Sequence, residues 1–349
     1  MDPGINRAEQ LYVAWEQRRK ELERVMGTSL DARKMQELKY SFFLKGLFRV
    51  SAKANEQERL YIQVLKVIVL KLRKVLYPSP VLRFLIALKE RVLDGPLHLR
   101  GFGIRKEENI VSLSQQLSEQ GLGGLAADLS VKLDYERQGV SLEMLRGIST
   151  GEKLAVEASF LKEGLGQYRF TGFQARLMAI DGNVRECFFS AESRLNLSQA
   201  LKLLHGGSIL KSNQGLDGQW EQSWVKLEQQ PGHAELSLLV SSNVMAGFDL
   251  KKQLLDHAIA LECYAISSDT VLRELESGSM VAISMTGKDK FYIRAGPFEN
   301  RLEFFDANKK EIAFDKLKSQ LVPNQVASVK EVSLFGQDIG NDKQLEISR

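Results

Sequence analysis

A change of sequence pattern near Gly95-Pro96 constrains the fold of this chain more than any other feature. Before it, apolar residues recur at the three- and four-residue spacing of amphipathic helices. After it, short alternating segments are interrupted by glycines. The pattern predicts an α+β protein with several domains, in which an N-terminal all-α helical bundle is followed by three degenerate helix–Gly–β-hairpin modules. At 349 residues the chain is long enough for two or three domains.

The N-terminal block is predicted to contain helices only, and no strand is expected before Leu93. The third helix is apolar around most of its circumference, with its polar residues on one narrow stripe, and is therefore expected to be buried on most sides, inside the bundle or in an oligomer. Asp94-Gly95-Pro96 is expected to close the block. The predicted helices cover residues 5–26, 30–50, 57–76 and 81–93.

Three segments of the remainder resemble one another. Each has a short helical pattern, a glycine and two alternating segments, and they align on Gly151, Gly207 and Gly278. Each glycine is predicted to follow a short helix, with a positive φ in at least two of the three. The predicted domains are residues 1–95 (basic helical bundle), 96–130 (linker and connecting helices), 131–195, 196–250 and 251–322 (modules 1 to 3), and 323–349 (C-terminal strand and tail).

The motifs LRGISTGEKL followed by GQYRF, and LKLLHGGSIL followed by GQW, resemble a repeat-bearing domain family. That family is uncharacterised and is encoded on conjugative and mobilisable elements of Bacteroidetes bacteria. The resemblance covers roughly residues 130–320 and does not include the helical block. It implies a mobile-DNA setting and an accessory, DNA-associated role, and it brings no catalytic residues that could be carried over.

Charge is distributed unevenly along the chain. Residues 1–100 carry 20 Lys and Arg against 11 Asp and Glu, whereas the other residues carry 28 against 33. Because phosphates attract Lys and Arg whatever the nucleotide sequence, the basic block is predicted to contact nucleic acid. The alternative is that these charges form solvated helix faces with ion pairs between neighbouring turns. The residues predicted for the contact are Arg18, Arg19, Lys20, Lys66, Arg73 and Lys74.

No motif indicates catalysis, and no catalytic residue, cofactor or metal is predicted. The stretch from Gly147 to Leu154 lacks the spacing and the hydroxyl residue of a phosphate-binding loop. His205-Gly206-Gly207-Ser208 lacks the nucleophile elbow that would accompany an oxyanion loop, and is interpreted as a helix end. The histidines and the two cysteines lack metal-ligand spacing, and the cysteines are expected to be buried. Basic residues that alternate with aromatic ones on the hairpins are expected to face solvent, although the pattern also suits base stacking.

The sequence therefore predicts a DNA-associated accessory protein without enzymatic activity. The alternative is a protein–protein scaffold or oligomeric adaptor, which the apolar third helix and the repeated modules favour. An enzyme with an unrecognised site is the third class. The expected partners are nucleic acid and a protein or a second copy, and no membrane, because no segment reaches about 20 uncharged apolar residues. Without a signal peptide pattern, a cytoplasmic location is expected.

Overall fold

A computed structural model gives the fold of this α+β protein, in which N-terminal helices are followed by antiparallel sheets. It describes residues 6–26, 31–51, 54–133, 135, 137–149, 151–180, 182–214, 220–229, 236–241, 248–261, 263–285, 290–320 and 327–328. Of the predicted C-terminal segment, only residues 327–328 lie within these ranges.

The chain divides into two compact units. The helical unit comprises Met1–Ser118, Gly123–Leu142 and Ser159–Thr171. The sheet unit comprises Glu119–Leu122, Glu143–Ala158 and Gly172–Arg349.

Helices dominate the first part of the described chain, and no strand is found there before Gly139, in agreement with the predicted N-terminal block. None of the helices within the described residues is long and apolar enough to cross a membrane. A π-helical turn at Glu90–Asp94 joins the helix Pro80–Lys89 to the helix Gly95–Glu119, so the helical stretch continues through Gly95-Pro96 instead of closing there. The α-helices are α1 Arg7–Met26, α2 Ala32–Ser51, α3 Glu56–Leu76, α4 Pro80–Lys89, α5 Gly95–Glu119, α6 Ala126–Lys132, α7 Leu197–Leu204, α8 Leu250–Ala260, α9 Asp269–Glu276 and α10 Phe314–Gln320.

The core of the helical unit is formed where α1, α2 and α3 meet. Trp15 of α1 and Phe43 of α2 are almost fully buried, with ring centroids 6.0 Å apart. On α3, Ile62, Leu65 and Val69 complete the same cluster. Their three- and four-residue spacing places them on one face of the helix, which explains why the sequence pattern located α3 correctly.

Within the single chain α3 is not buried on most sides, and its burial in an oligomer stays a prediction. The face opposite to the core is also apolar, yet Leu60 and Val75 on it are 70% and 60% exposed. The reason is that α1 and α2 pack against one side only, and α4, which has no buried residue, leaves the other side uncovered.

A buried ion pair fixes the start of α1 against the start of α3. The Glu58 carboxylate is 1% exposed and accepts bonds from the Arg7 guanidinium at 2.7 and 2.8 Å. Glu58 also accepts from the backbone N–H of Asn55, whose own side chain caps α3 in a capping box. Hydrogen bonding to Arg7 lowers the pKa of Glu58 to about 2, although burial acts in the opposite direction.

This ion pair is expected to make stability fall in acid. Because the folded-state pKa lies below the ordinary value of 4.5, the stabilisation is present above about pH 5 and is lost as the pH falls towards 2. We expect the wild type to lose about 3 kcal/mol more unfolding free energy over that range than Glu58→Gln. Urea unfolding at stepped pH measures this difference. Glu56→Gln, at an exposed neighbouring position, should follow the wild-type curve, and identical curves for wild type and Glu58→Gln would contradict the prediction.

A second buried charged group lies at the π-helical turn. Glu90 is 5% exposed; its carboxylate accepts a bond from the Tyr40 hydroxyl and one from the Arg73 guanidinium at 2.6 Å. Arg73 also donates to the Tyr40 oxygen at 2.8 Å. Burial and then the bond to Glu90 raise the pKa of Tyr40 far above its ordinary value, so the phenol stays protonated. The three side chains tie α2, α3 and the π-helical turn together.

The strands of the described chain form three sheets with β-strand orders β1-β2-β3-β4, β5-β6-β7 and β11-β10-β9-β8-β12. The pairs with a defined register are antiparallel, for example Ala175↔Cys187 between β3 and β4 and Glu303↔Arg294 between β10 and β9. The strands are β1 Gly139–Ser149, β2 Glu152–Gly164, β3 Gln167–Met178, β4 Val184–Ser190, β5 Ile209–Gln214, β6 Trp220–Gln229, β7 Leu236–Ser241, β8 Val281–Met285, β9 Phe291–Gly296, β10 Arg301–Phe305, β11 Glu311–Ile312 and β12 Ala327–Ser328.

The prediction of a helix before Gly151 is wrong. Residues 139–149 form β1, and Gly151 (φ +96°) lies between β1 and β2, not after a helix. Leu, Glu, Met and Arg in this segment favour a helix only weakly, and pairing with β2 in the four-stranded sheet overrides that preference. The first segment is therefore not a copy of the other two.

The other two segments do share the predicted order of helix, glycine and hairpin. Gly278 (φ +85°) follows α9, as predicted, but after α7 the positive φ belongs to Gly206 (+84°) and not to Gly207. The sequence alignment was therefore displaced by one residue in the second segment. The two glycine turns touch: a Cβ on Gly207 would lie 2.6 Å from the carbonyl oxygen of Gly278. This close approach explains why a second glycine follows the first after α7.

Candidate anion-binding pocket

A cavity of the sheet unit with several charged residues in its wall lies at the C-terminal end of α7. The helix begins with a capping box between Asn196 and Gln199 and is held by the buried side chains of Leu203 and Leu204. It ends at His205, after which Gly206 turns the chain away. The last carbonyl groups of a helix lack partners within it, and they carry partial negative charge.

Two arginines from distant strands meet these carbonyls. Arg185 of β4 donates from Nη1 to the Leu204 oxygen at 2.9 Å, and Arg294 of β9 donates from Nη1 to the His205 oxygen at 3.2 Å. A Cβ on Gly206 would lie 3.4 Å from both Nη1 atoms, so the guanidinium groups flank this residue. Each of these bonds takes one of the five N–H donors of a guanidinium.

Arg294 is held in place by its neighbours. Its Nε donates to the Glu303 carboxylate at 2.7 Å, and the two side chains are only 17% and 10% exposed. The guanidinium carbon also lies 5.0 Å from the centroid of the Phe305 ring. Because Glu303 and Arg294 are paired across β10 and β9, the sheet itself sets the direction of this side chain.

Lysines add positive charge to the same cavity. Lys202 of α7 donates to the Ser277 hydroxyl at 2.8 Å, and burial lowers its pKa. Lys309, in the turn between β10 and β11, has a left-handed backbone (φ +61°) and also lines the cavity. Lys202 and Lys309 thus join the two arginines around Gly206.

The pKa of His205 depends on the charged side chains around the pocket. Burial lowers the pKa of its imidazole most, the carboxylate of Glu152 at 4.0 Å opposes this, and the charges of Lys309, Arg185 and Arg294 lower it further. The imidazole is therefore neutral at neutral pH. With Glu303 counted, because it is bonded to Arg294, the charged side chains at this site are four cations and two carboxylates. The site therefore has an excess of positive charge.

The space beside these side chains is large enough for a small ligand. Two adjoining cavities of about 430 and 760 Å³ share Glu152, Arg185, His205, Gly206 and Arg294 in their walls, and ligand sites typically measure about 300–1,000 Å³. Guanidinium groups bind phosphate and carboxylate oxygens through paired N–H donors. The chemistry of the walls fits an anion, and we name this site the α7 pocket.

The predicted nucleic-acid residues occupy different environments on the helices. Lys20, Lys66 and Lys74 are exposed. Arg19 pairs with Glu16 at 3.0 Å and with Glu23 at 3.9 Å, which is the ion-pair arrangement weighed as the alternative for this helix.

The other two predicted arginines contact aromatic rings. Arg18 lies over the ring of Phe42, and Arg73 belongs to the internal network with Tyr40 and Glu90. Of the six predicted residues, Arg73 is directed into the structure, because its guanidinium pairs with the buried carboxylate of Glu90.

The sequence does not predict the α7 pocket, although one of its segments attracts attention on other grounds. His205-Gly206-Gly207-Ser208 does end a helix, as interpreted, but that helix end also forms one wall of the cavity. On the hairpins Tyr168 and Phe291 face inward as expected, and each is 2% exposed. Arg294 departs from the expected pattern because it lies in the pocket and is largely buried.

Cys187 and Cys263 are both buried, as expected, and burial raises the pKa of the Cys263 thiol. Within the described ranges no group of three or more His, Cys, Asp or Glu side chains has the arrangement of a metal site. Comparison with protein-family models, with curated proteins and with solved structures finds no match for this chain.

Proposed function

We propose that this protein is a non-enzymatic accessory protein that binds a phosphate-bearing ligand in the α7 pocket, and that the ligand is the phosphate backbone of nucleic acid or a free phosphate compound. The observation that carries the proposal is the convergence of Arg185 and Arg294, from strands far apart in sequence, on one helix end beside Lys309. A phosphate placed there would lie among several charged donors.

The electrostatics of His205 support the same ligand class. Cations that lower the pKa of a nearby imidazole create a potential that favours an anion. A bound phosphate would offset that potential, and by linkage the pKa of His205 would rise on binding. The competing interpretation is that the two arginines serve only to cap α7, in which case the pocket would have no preference for phosphate.

The proposal also includes association with DNA, which is the hypothesis that the sequence favours. The resemblance to proteins of mobile elements suggests a DNA setting, and the exposed Lys20, Lys66 and Lys74 offer further positive charge on the helices. Within this proposal the pocket binds the phosphate group, and the helical residues would add contacts that depend on salt.

Calorimetric titration of the full-length chain with sodium pyrophosphate tests the pocket. Arg185→Gln removes one charged donor from its wall, and a charge-assisted hydrogen bond contributes about 1.5–3 kcal/mol. We therefore expect the affinity for pyrophosphate to fall about 10- to 100-fold. The matched control is Arg176→Gln on the adjacent strand β3, where the arginine is 51% exposed and paired with Glu186 outside the pocket. Its affinity should equal that of the wild type.

Parallel titrations with single-stranded and duplex DNA distinguish the two phosphate sources. If nucleic acid is the ligand, Arg185→Gln weakens DNA binding by a similar factor. If a free phosphate compound is the ligand, pyrophosphate binds and DNA does not. DNA binding that Arg185→Gln leaves unchanged would place the contact outside the pocket. Absence of pyrophosphate and DNA binding at millimolar concentration would overturn the proposal and leave the arginines as helix caps.

A further inference from the structure

The outward face of α3 is an apolar stripe that none of the described residues of the helical unit covers. Leu60, Val64, Val67 and Val75 recur at helical spacing, and each is at least 50% exposed. The residues of the opposite face, such as Leu65, fill the core. A surface helix normally has one apolar face, which packs on the core. The second apolar face of α3 is therefore not needed for packing of the core.

The next helix, α4, is exposed or half-buried at every position. Its sequence is PVLRFLIALK, yet none of its residues is buried. Val81, Phe84 and Leu85 are 69%, 67% and 54% exposed, and the pattern continues to Val92 and Leu93 in the π-helical turn. Exposed apolar residues in this density are characteristic of surfaces that bind a partner.

Apart from the buried Glu90, the charged residues between these apolar ones are all basic. Between residues 60 and 93 the one acidic side chain is Glu90, which is buried and paired with Arg73. Asp94 follows directly and lies 3.8 Å from Lys89. The remaining charged side chains of this range are Lys66, Lys71, Lys74, Arg83, Lys89 and Arg91.

We propose that α3 and α4 form a docking surface for an anionic lipid bilayer. Such a bilayer supplies negative headgroups for the lysines and arginines, and acyl chains for the leucines, valines and Phe84. A second copy of the chain would bring the same cations against one another. Duplex DNA would neutralise the charge, but its polar surface would leave the apolar stripes uncovered. The bilayer is the partner that matches both properties.

The length of α4 suits contact with the membrane surface and is too short for a span across the bilayer. The ten residues of α4 span about 15 Å, half of the roughly 30 Å hydrocarbon core. Basic side chains such as Arg83 and Lys89 can extend to the headgroups while the apolar stripe enters the interface. This proposal concerns the helical unit alone and does not rest on the α7 pocket.

Flotation of the full-length protein with vesicles tests the proposal. Vesicles of phosphatidylcholine containing about 30% phosphatidylserine should bind the wild type at least tenfold more tightly than vesicles of phosphatidylcholine alone. The bound fraction should fall in 0.5 M NaCl, because salt screens the headgroup charge. Phe84→Glu/Leu88→Glu places two acidic groups on the stripe and should reduce binding to the anionic vesicles at least tenfold.

The matched control is Val111→Glu/Val131→Glu, which also places two carboxylates at exposed apolar positions, 68% and 84% exposed, elsewhere in the helical unit. It should bind within twofold of the wild type. Unchanged circular dichroism would show that each variant folds.

Equal binding of wild type and Phe84→Glu/Leu88→Glu, or no flotation of the wild type at low salt, overturns the proposal. A dimer in solution that the stripe variant dissociates, without vesicle binding, would assign the surface to a second copy instead. Binding to duplex DNA that the stripe variant abolishes, again without flotation, would assign it to nucleic acid.

Discussion

Arg73→Ala is expected to lower the free energy of unfolding by about 3–5 kcal/mol, because it leaves the carboxylate of Glu90 buried without its charged partner. The bond from Arg73 to the Tyr40 oxygen is lost at the same time. Urea unfolding followed by circular dichroism measures the effect.

The adjacent lysine provides the control for this variant. Lys74 is exposed, so Lys74→Ala should change stability by less than about 0.5 kcal/mol. If the two variants were equally stable, the Tyr40–Arg73–Glu90 network would contribute little. A double variant, Arg73→Ala/Glu90→Gln, should recover part of the loss, since it removes the uncompensated charge as well.

Gly172→Ala is expected to cost about 4 kcal/mol of unfolding free energy. Gly172 on β3 has a φ of +143°, and a Cβ built there would lie 2.3 Å from the backbone oxygen of Phe189 on β4. Both the backbone strain and the overlap oppose the new methyl group, and each typically costs about 1–3 kcal/mol. The overlap is with main chain, so a change of rotamer cannot relieve it.

Gly103→Ala is the matched control, and it is expected to have the opposite sign. Gly103 lies within α5, and nothing is found within 4 Å of its added Cβ. Alanine favours a helix by about 1 kcal/mol over glycine, so this variant should be slightly more stable than the wild type. Thermal unfolding of both variants measures their stability relative to the wild type. A Gly172→Ala protein as stable as the wild type would contradict the prediction.

The first three helices were predictable because their apolar spacing is regular and their packing is local. The predicted bounds of residues 57–76 for α3 differ by one residue from the observed Glu56–Leu76. The burial of that helix was not predictable in the same way. A sequence shows that a face is apolar, but whether another element covers it depends on where α4 points, and no local pattern encodes that direction.

The error at residues 141–149 has a different origin. The segment SLEMLRGIS consists largely of helix formers, and its similarity to the segments before Gly207 and Gly278 reinforced the helical interpretation. Helix propensities differ by only fractions of a kcal/mol per residue. Hydrogen bonding to β2, together with the full burial of Leu142, is sufficient to make a strand there.

The α7 pocket could not be found from sequence because its charged residues belong to separate elements. Arg185 is on β4, His205 ends α7, and Arg294 is on β9. Only strand pairing and the packing of α7 bring them together. The one local signal was the doubled glycine after His205, and on its own that pattern is typical of an ordinary helix end.

At the π-helical turn Glu90–Asp94, the number of residues determines how α4 is rotated relative to α5. A π-helical turn contains more residues than the α-helical turn that it replaces. Each residue of an α-helix advances the direction of its side chain by about 100°. Removing one residue from the turn would therefore rotate α4 by that angle about its axis relative to α5. Insertions and deletions here would reorient an entire helix face while leaving every amino acid on it unchanged.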